Sequence, residues 1–163
     1  MIIRPFERDD SSACHSIYRH YVENTVITFE EQMPPEPEFE ERLRLIASRY
    51  PFLVAESDGG AVIGYAYLDA FNARSAYRYT ADLSIYVDKN FLHKNAGSRL
   101  YRELETKARQ SGIHSIVSII TAENERSLRF HEQMGFRCAG ELKNAGFKCG
   151  RWLSVKYYQK SLA

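Results

Sequence analysis

Asp82, Ser84 and Tyr86 alternate along the run Thr80 to Val87, so in a strand of two-residue period they share one face, while Leu83, Ile85 and Val87 share the other. One face suits a core; the other carries groups able to take a proton or hold a hydrogen bond. The following residues, Asp88 to Ser98, join this strand to a helix expected from Gly97 to about Gln110, marked by Leu100, Tyr101, Leu104 and Ala108. A small-residue junction of this kind aims unpaired amides along the positive end of a helix dipole worth about +0.5 charge, where a phosphate is the natural ligand. Lys89, His93, Lys94, Arg99 and Arg102 add positive potential. Taken alone, a strand, a loop and a helix with some lysines more often make a solvated connection.

Other elements must hold this junction in place. Ile2-Ile3-Arg4 reads as a first strand, followed by a helix capped by Asp9 or Asp10 and carrying Cys14, Ile17, Tyr18, Tyr21 and Val22. Asn24 to Pro35 has no sustained period and reads as a loop before a second helix, starting near Pro37, with Phe39, Leu43, Ile46 and Ala47 on its apolar face. Asp58-Gly59-Gly60 turns between strands at 52–56 and 62–68. After the helix from 97, Ile113 to Thr121 is a near-continuous apolar strand, expected to be buried on both faces. Asn124 can cap a helix carrying Leu128, His131 and Met134 that stops at Gly135, with strands following at 136–139 and 152–159. The β-α-β-α-β order from 80 to 140 predicts an α/β domain whose mixed sheet is partly parallel.

The chain has 163 residues, which predicts one domain spanning 1–163. Lys and Arg number 22 against 21 Asp and Glu, a net +1 that argues against a nucleic-acid or membrane-surface partner. No stretch resembles a leader or a spanning helix, and Cys14, Cys138 and Cys149 fit neither a metal knuckle nor a disulfide framework. A cytoplasmic protein with reduced thiols and no metal is the expectation.

Several runs, in order, carry a resemblance over essentially the full length: IIRPFERDD, NTVITFE, RYPFLVAE, NARSAYRYTADLSIYVD, AGSRLY, NERSLRFHEQMGF and AGFKCGRW. The chain resembles the GNAT-family N-acetyltransferases, and within them the phosphinothricin and methionine sulfoximine acetyltransferases. The resemblance implies the GNAT fold: a mixed, mostly antiparallel sheet with a central parallel pair, flanked by helices. It implies acetyl-CoA as donor, a small amino-acid-like amine as acceptor, and a homodimer. Alternatives within the fold are another amine, such as a polyamine or peptide N-terminus, or a catalytically weak CoA-binding module.

By the same resemblance, the backbones of Ile85, Tyr86 and Val87 contact pantetheine, His93, Lys94, Asn95, Ala96, Gly97 and Ser98 hold the pyrophosphate, and Asn124 contacts the CoA arm. The family's phosphate loop usually reads Q/R-x-x-G-x-G/A; here Leu92 and Asn95 depart from it. Asn tolerates left-handed backbone angles best among residues with a side chain, so the turn survives. Asp82 stands where similar enzymes have a catalytic Glu. An acceptor amine with a pKa like that of lysine, ~10.4, needs roughly 4–5 kcal/mol to shed its proton at pH 7, so a base is valuable. Being one methylene shorter than Glu, Asp82 is expected to work through a water. His131 is implied as the group that protonates the departing thiolate, or as a base. Phe29, Arg74 and Tyr77 fall at substrate-pocket positions, and Asn72 replaces a Lys of the phosphinothricin enzymes. Lys148 reads as a surface charge in preference to a pocket residue, and Trp152 and Tyr157 as core or dimer contacts.

Overall fold

A computed structural model describes all residues 1–163. Seven strands form one sheet in the order β1-β2-β3-β4-β5-β7-β6. They are β1 (Ile2–Pro5), β2 (Phe52–Glu56), β3 (Val62–Ala70), β4 (Thr80–Val87), β5 (Ser115–Thr121), β6 (Arg137–Lys148) and β7 (Arg151–Ser161). All neighbours are antiparallel except β4 and β5, whose parallel pairing covers only Thr80–Asp82 against Ser115–Val117. Beyond Asp82 the two strands part. That fork is the feature on which the site depends.

Four helices cover the sheet: α1 (Ser11–Asn24), α2 (Glu36–Ala47), α3 (Ala96–Gln110) and α4 (Glu125–Gln133). On one face Leu100, Tyr101, Leu104 and Ala108 of α3 and Leu128 of α4 bury against Ala66, Leu68, Ala81, Leu83 and Ile116. On the other, Cys14, Ile17, Tyr18, Tyr21 and Val22 of α1 and Phe39, Leu43 and Ile46 of α2 pack on Phe52, Val54 and Tyr65. The apolar spacing read from the sequence therefore fills both cores, except that Ala47, expected on the inner face of α2, is exposed at its last turn.

Three expectations need correction. Asp10 precedes α1 but does not cap it through its side chain; a short 3-10 turn at Arg8–Asp10 intervenes, and the carboxylate instead accepts from the two terminal guanidinium nitrogens of Arg4, each at 2.8 Å. A bidentate charged pair outcompetes one helix amide. The strand expected at 136–139 runs on to Lys148, because irregular register at Cys138/Gly140 and Leu142/Gly146, with Asn144 at φ 51°, breaks the alternation that would have marked it. β5 is buried along most of its length, but Ile119 is 45% exposed.

Candidate active site

The fork opens into a cleft of about 390 Å³. Ile85, Tyr86 and Val87 of β4 form one wall, Asn95, Gly97 and Ser98 at the start of α3 the second, and Asn124, Ser127 and Phe130 of α4 the third. β3 pairs with β4 through Val87, while β5 pairs with it no further than Asp82, so the β5-side backbone edge of 83–87 is left open to an extended ligand. Asn95 is left-handed, φ 58° and ψ 14°, and the first helical bond of α3 runs from the amide of Arg99 to Asn95 O at 3.1 Å. The amides of Ala96, Gly97 and Ser98 thus precede the helical ladder and point out of the helix end. A β-carbon at Gly97 would lie 3.5 Å from Phe130 and 3.8 Å from Val87, occupying the space between those walls. Arg126 closes the mouth, its guanidinium donating to Leu92 O at 2.7 Å. Bare amides, a helix dipole and an arginine around one opening fit a pyrophosphate.

The segment between α1 and α2 is pinned across the end of the fork. Thr121 Oγ1 donates to Val26 O at 2.6 Å, Tyr18 and Thr28 hydroxyls meet at 2.8 Å, and Lys148 Nζ donates to Thr28 O at 2.8 Å. Tyr21 hydroxyl donates to Val87 O, tying α1 to the end of β4. Ile27 consequently enters the cleft lining, and Phe29 lies over Gly146 of β6. The surface-charge reading of Lys148 is overturned: it is 4% exposed, and burial pushes its ammonium pKa down.

Asp82 lies at the crotch of the fork, just outside the cleft lining, on the face shared with Ser84 and Tyr86. That face is only partly open to solvent: Tyr86 packs against Tyr18, Tyr21 and Tyr65 with ring centroids 5.0, 5.3 and 5.6 Å away. Asp82 Oδ1 is buried without a hydrogen-bond partner. Burial, and then the charge of Asp69, push its carboxyl up to about 7, against the pull of the Leu83 amide. A carboxyl poised there exchanges its proton at neutral pH.

Of the ten residues expected around the cofactor, Ile85, Tyr86, Val87, His93, Asn95, Gly97, Ser98 and Asn124 line the cleft. Two side chains do not. Ala96 is 1% exposed and its methyl packs into the core, leaving its amide as the group available; Lys94 lies over the Phe91 ring at 5.1 Å. Asn124 also accepts from the Ser127 amide at 3.2 Å, as the cap of α4.

Other expected residues fall elsewhere. Arg74 and Tyr77 are exposed in the connection from β3 to β4, where the Arg74 amide donates to Asn72 Oδ1 and Tyr77 packs edge-on to Phe71; neither lines the cleft. Nine residues between two paired strands leave this connection outside the sheet. His131 is 2% exposed and enclosed by Phe130, Phe136 and Tyr158. Burial lowers its pKa, keeping the ring neutral, and Nε2 has no partner. A buried neutral imidazole is not itself at the cleft, and its contact with the lining is Ser127: Nδ1 is 2.7 Å from Ser127 O and 3.2 Å from Ser127 Oγ. Trp152 is no core residue, being 64% exposed.

A family model described as the acetyltransferase (GNAT) domain matches residues 3–155. The chain belongs to the GNAT acetyltransferase family. Among its relatives, the phosphinothricin N-acetyltransferase of Streptomyces viridochromogenes is 35% identical over 97% of this chain and 86% of its own length. The L-methionine sulfoximine/L-methionine sulfone acetyltransferase of Salmonella typhimurium is 32% identical over 99% of this chain and 95% of its own. The crystal structure of a GNAT superfamily phosphinothricin acetyltransferase from Sinorhizobium meliloti in complex with AcCoA superposes with a TM-score of 0.96, 36% identity, and coverage of 99% of this chain and 88% of that one.

In this GNAT acetyltransferase, sequence reasoning did not find Tyr21, Ile27, Arg126, Ser127 and Phe130 in the cleft lining. Tyr21 read as a core position on an amphipathic helix. Ser127 and Arg126 carried a usable signal: they follow the cap Asn124 within one turn, on the helix end that faces the fork.

Proposed function

We propose that this GNAT acetyltransferase moves an acetyl group from acetyl-CoA to the amine of a small amino-acid-like molecule, by direct attack while both are bound to one domain spanning residues 1–163. When bound, acetyl-CoA supplies an activated acyl group on a thiol leaving group. The amides of 96–98 and Arg126 hold its pyrophosphate, the open backbone edge of 85–87 holds the pantetheine, and Asn124 steadies the arm. The acceptor enters from the α1/α2 face, past Phe29.

Asp82 takes the proton that the acceptor's ammonium must lose, through one water because its carboxyl sits below the cleft lining. The nitrogen lone pair then forms the new amide bond as the carbon–sulfur bond breaks. A thiol of pKa ~8.5 leaves with modest help. We assign that help to Ser127 Oγ, with His131 positioning Ser127 from behind. The observation that carries this reading is the coincidence at one fork of an unpaired strand edge, a bare helix N-terminus and a carboxylate oxygen, Asp82 Oδ1, buried without a partner.

The deciding experiment is thiol release from acetyl-CoA with methionine sulfoximine, methionine sulfone, phosphinothricin and a polyamine as separate acceptors. Turnover is expected with the amino-acid-like compounds, methionine sulfoximine and sulfone above phosphinothricin, because Asn72 brings no charge to the connection that carries Arg74. Turnover with the polyamine alone, or with none, overturns it. We further infer a homodimer built on the outer edge of the sheet, where Leu142, Phe147 and Trp152 are all at least half exposed and Phe147 and Trp152 stack edge-on at 5.2 Å. Sedimentation should show two chains per particle. A cytoplasmic setting suits the three free cysteines, two of them exposed.

A further inference from the structure

Asp82 has a carboxylate directly across from it. In the antiparallel pairing of β3 with β4, Asp69 is the register partner of Asp82. Such partners point to the same side of the sheet with β-carbons about 4.5–5.5 Å apart, and like charges placed so are destabilising. Asp69 is held in place: its Oδ1 accepts from the Ala70 amide at 2.7 Å. Neither carboxylate takes part in an ion pair.

The surroundings offer no charge to balance the pair. Tyr67 of β3 and Tyr86 of β4 are held in the neutral form by burial, as is Tyr18 from α1. From α2, Arg42 is engaged by Glu30, and from β5 the partner of Asp82 is Val117. Asp69 is thus the one acidic side chain set against the base. We propose that Asp69 is a positioning residue for this reaction: its carboxylate, set across the strand pair from Asp82, acts on the base through space and makes Asp82 a more avid acceptor of the proton that the ammonium gives up. The pair makes two ionised carboxylates unfavourable, so the site has an avid place for the proton that the ammonium gives up.

This inference rests on the base role of Asp82 given above. The test is the pH dependence of kcat/KM for the intact enzyme and its Asp69→Asn, Asp69→Ser, Asp69→Glu and Asp82→Asn variants, each checked for a cooperative melt. With Asp69→Asn and Asp69→Ser the midpoint of the acidic limb should fall by about one pH unit. Asp69→Glu, which keeps the charge, should hold the midpoint near that of the parent. Asp82→Asn should remove the limb at the parent's midpoint and leave only the rise at higher pH that follows the acceptor's own amine. A limb that disappears in Asp82→Asn but stays in place in both Asp69→Asn and Asp69→Ser overturns the paired-carboxylate proposal alone. A limb that survives Asp82→Asn at the parent's midpoint overturns the base role and this proposal with it.

Discussion

Phe29, between α1 and α2, and Gly146, on β6, are packed so closely that a β-carbon built on Gly146 would overlap the edge of the phenyl ring. The contact seats the segment that carries Thr28 and Ile27 against the far end of the sheet. Gly146→Ala should therefore displace Phe29 and destabilise by ~1–3 kcal/mol, the cost of overpacking a rigid contact. Steady-state kinetics should show KM for the acceptor rising severalfold while KM for acetyl-CoA stays within twofold. Equal rises in both would place Phe29 away from the acceptor.

Asp82→Asn tests the base and carries a stability signature. Turnover at pH 7.5 should drop by about 10²–10⁴-fold and recover in part at high pH, where more acceptor is already neutral. A carboxyl with a folded pKa of about 7 and an unfolded one near ~3.9 binds its proton more tightly when folded. Its contribution to stability is full below pH ~4 and lost as the pH climbs through about 7. Asp82→Asn should thus be more stable than the parent at pH 8 by ~1–3 kcal/mol and no more stable at pH 4. Melting curves at the two pH values decide it; a variant equally affected at both removes the desolvated carboxyl from the account.

Ser127 and His131 should behave as one unit. If His131 acts through its contact with Ser127, Ser127→Ala and His131→Gln lower kcat to similar extents, and the double variant is no slower than the worse single one. The acidic midpoint should stay where the parent has it, because the buried ring is already neutral there. Additive losses would show that the two residues act separately.

Asn95 holds the turn into α3 at φ 58°. Asn95→Gly should leave acetyl-CoA binding within about threefold, since glycine takes the same angles freely. Asn95→Val should weaken it by about tenfold or more, because a branched residue resists the left-handed region by ~1–2 kcal/mol. Calorimetric titration reads both, and equal affinities would take the backbone angle of residue 95 out of cofactor binding.

Most of the fold was legible in the chain. The helical spacing of Tyr18, Tyr21 and Val22, of Leu100 and Leu104, and the alternation through 80–87 are local patterns dictated by burial, so the elements follow from them. β6 was legible only in part, since its irregular register hides the alternation. Within the site, the strand–turn–helix junction from 85 to 98 was legible because its parts are contiguous in sequence, whereas Asn124 was placed at the site only through the family resemblance, and the side chains of Lys94 and Ala96 do not line the cleft.

The sequence by itself thus determined the elements, their order, and the strand and helix end that make up two walls of the cleft. Only the tertiary structure decided that β4 and β5 part after Asp82, that Asp69 stands opposite it, that Lys148 is buried beneath Thr28, and that His131 is closed off behind Ser127. Those facts depend on strand register and on which faces of distant segments meet. Local preferences specify where a side chain points along its own element, whereas burial and charge at a site come from neighbours tens of residues away.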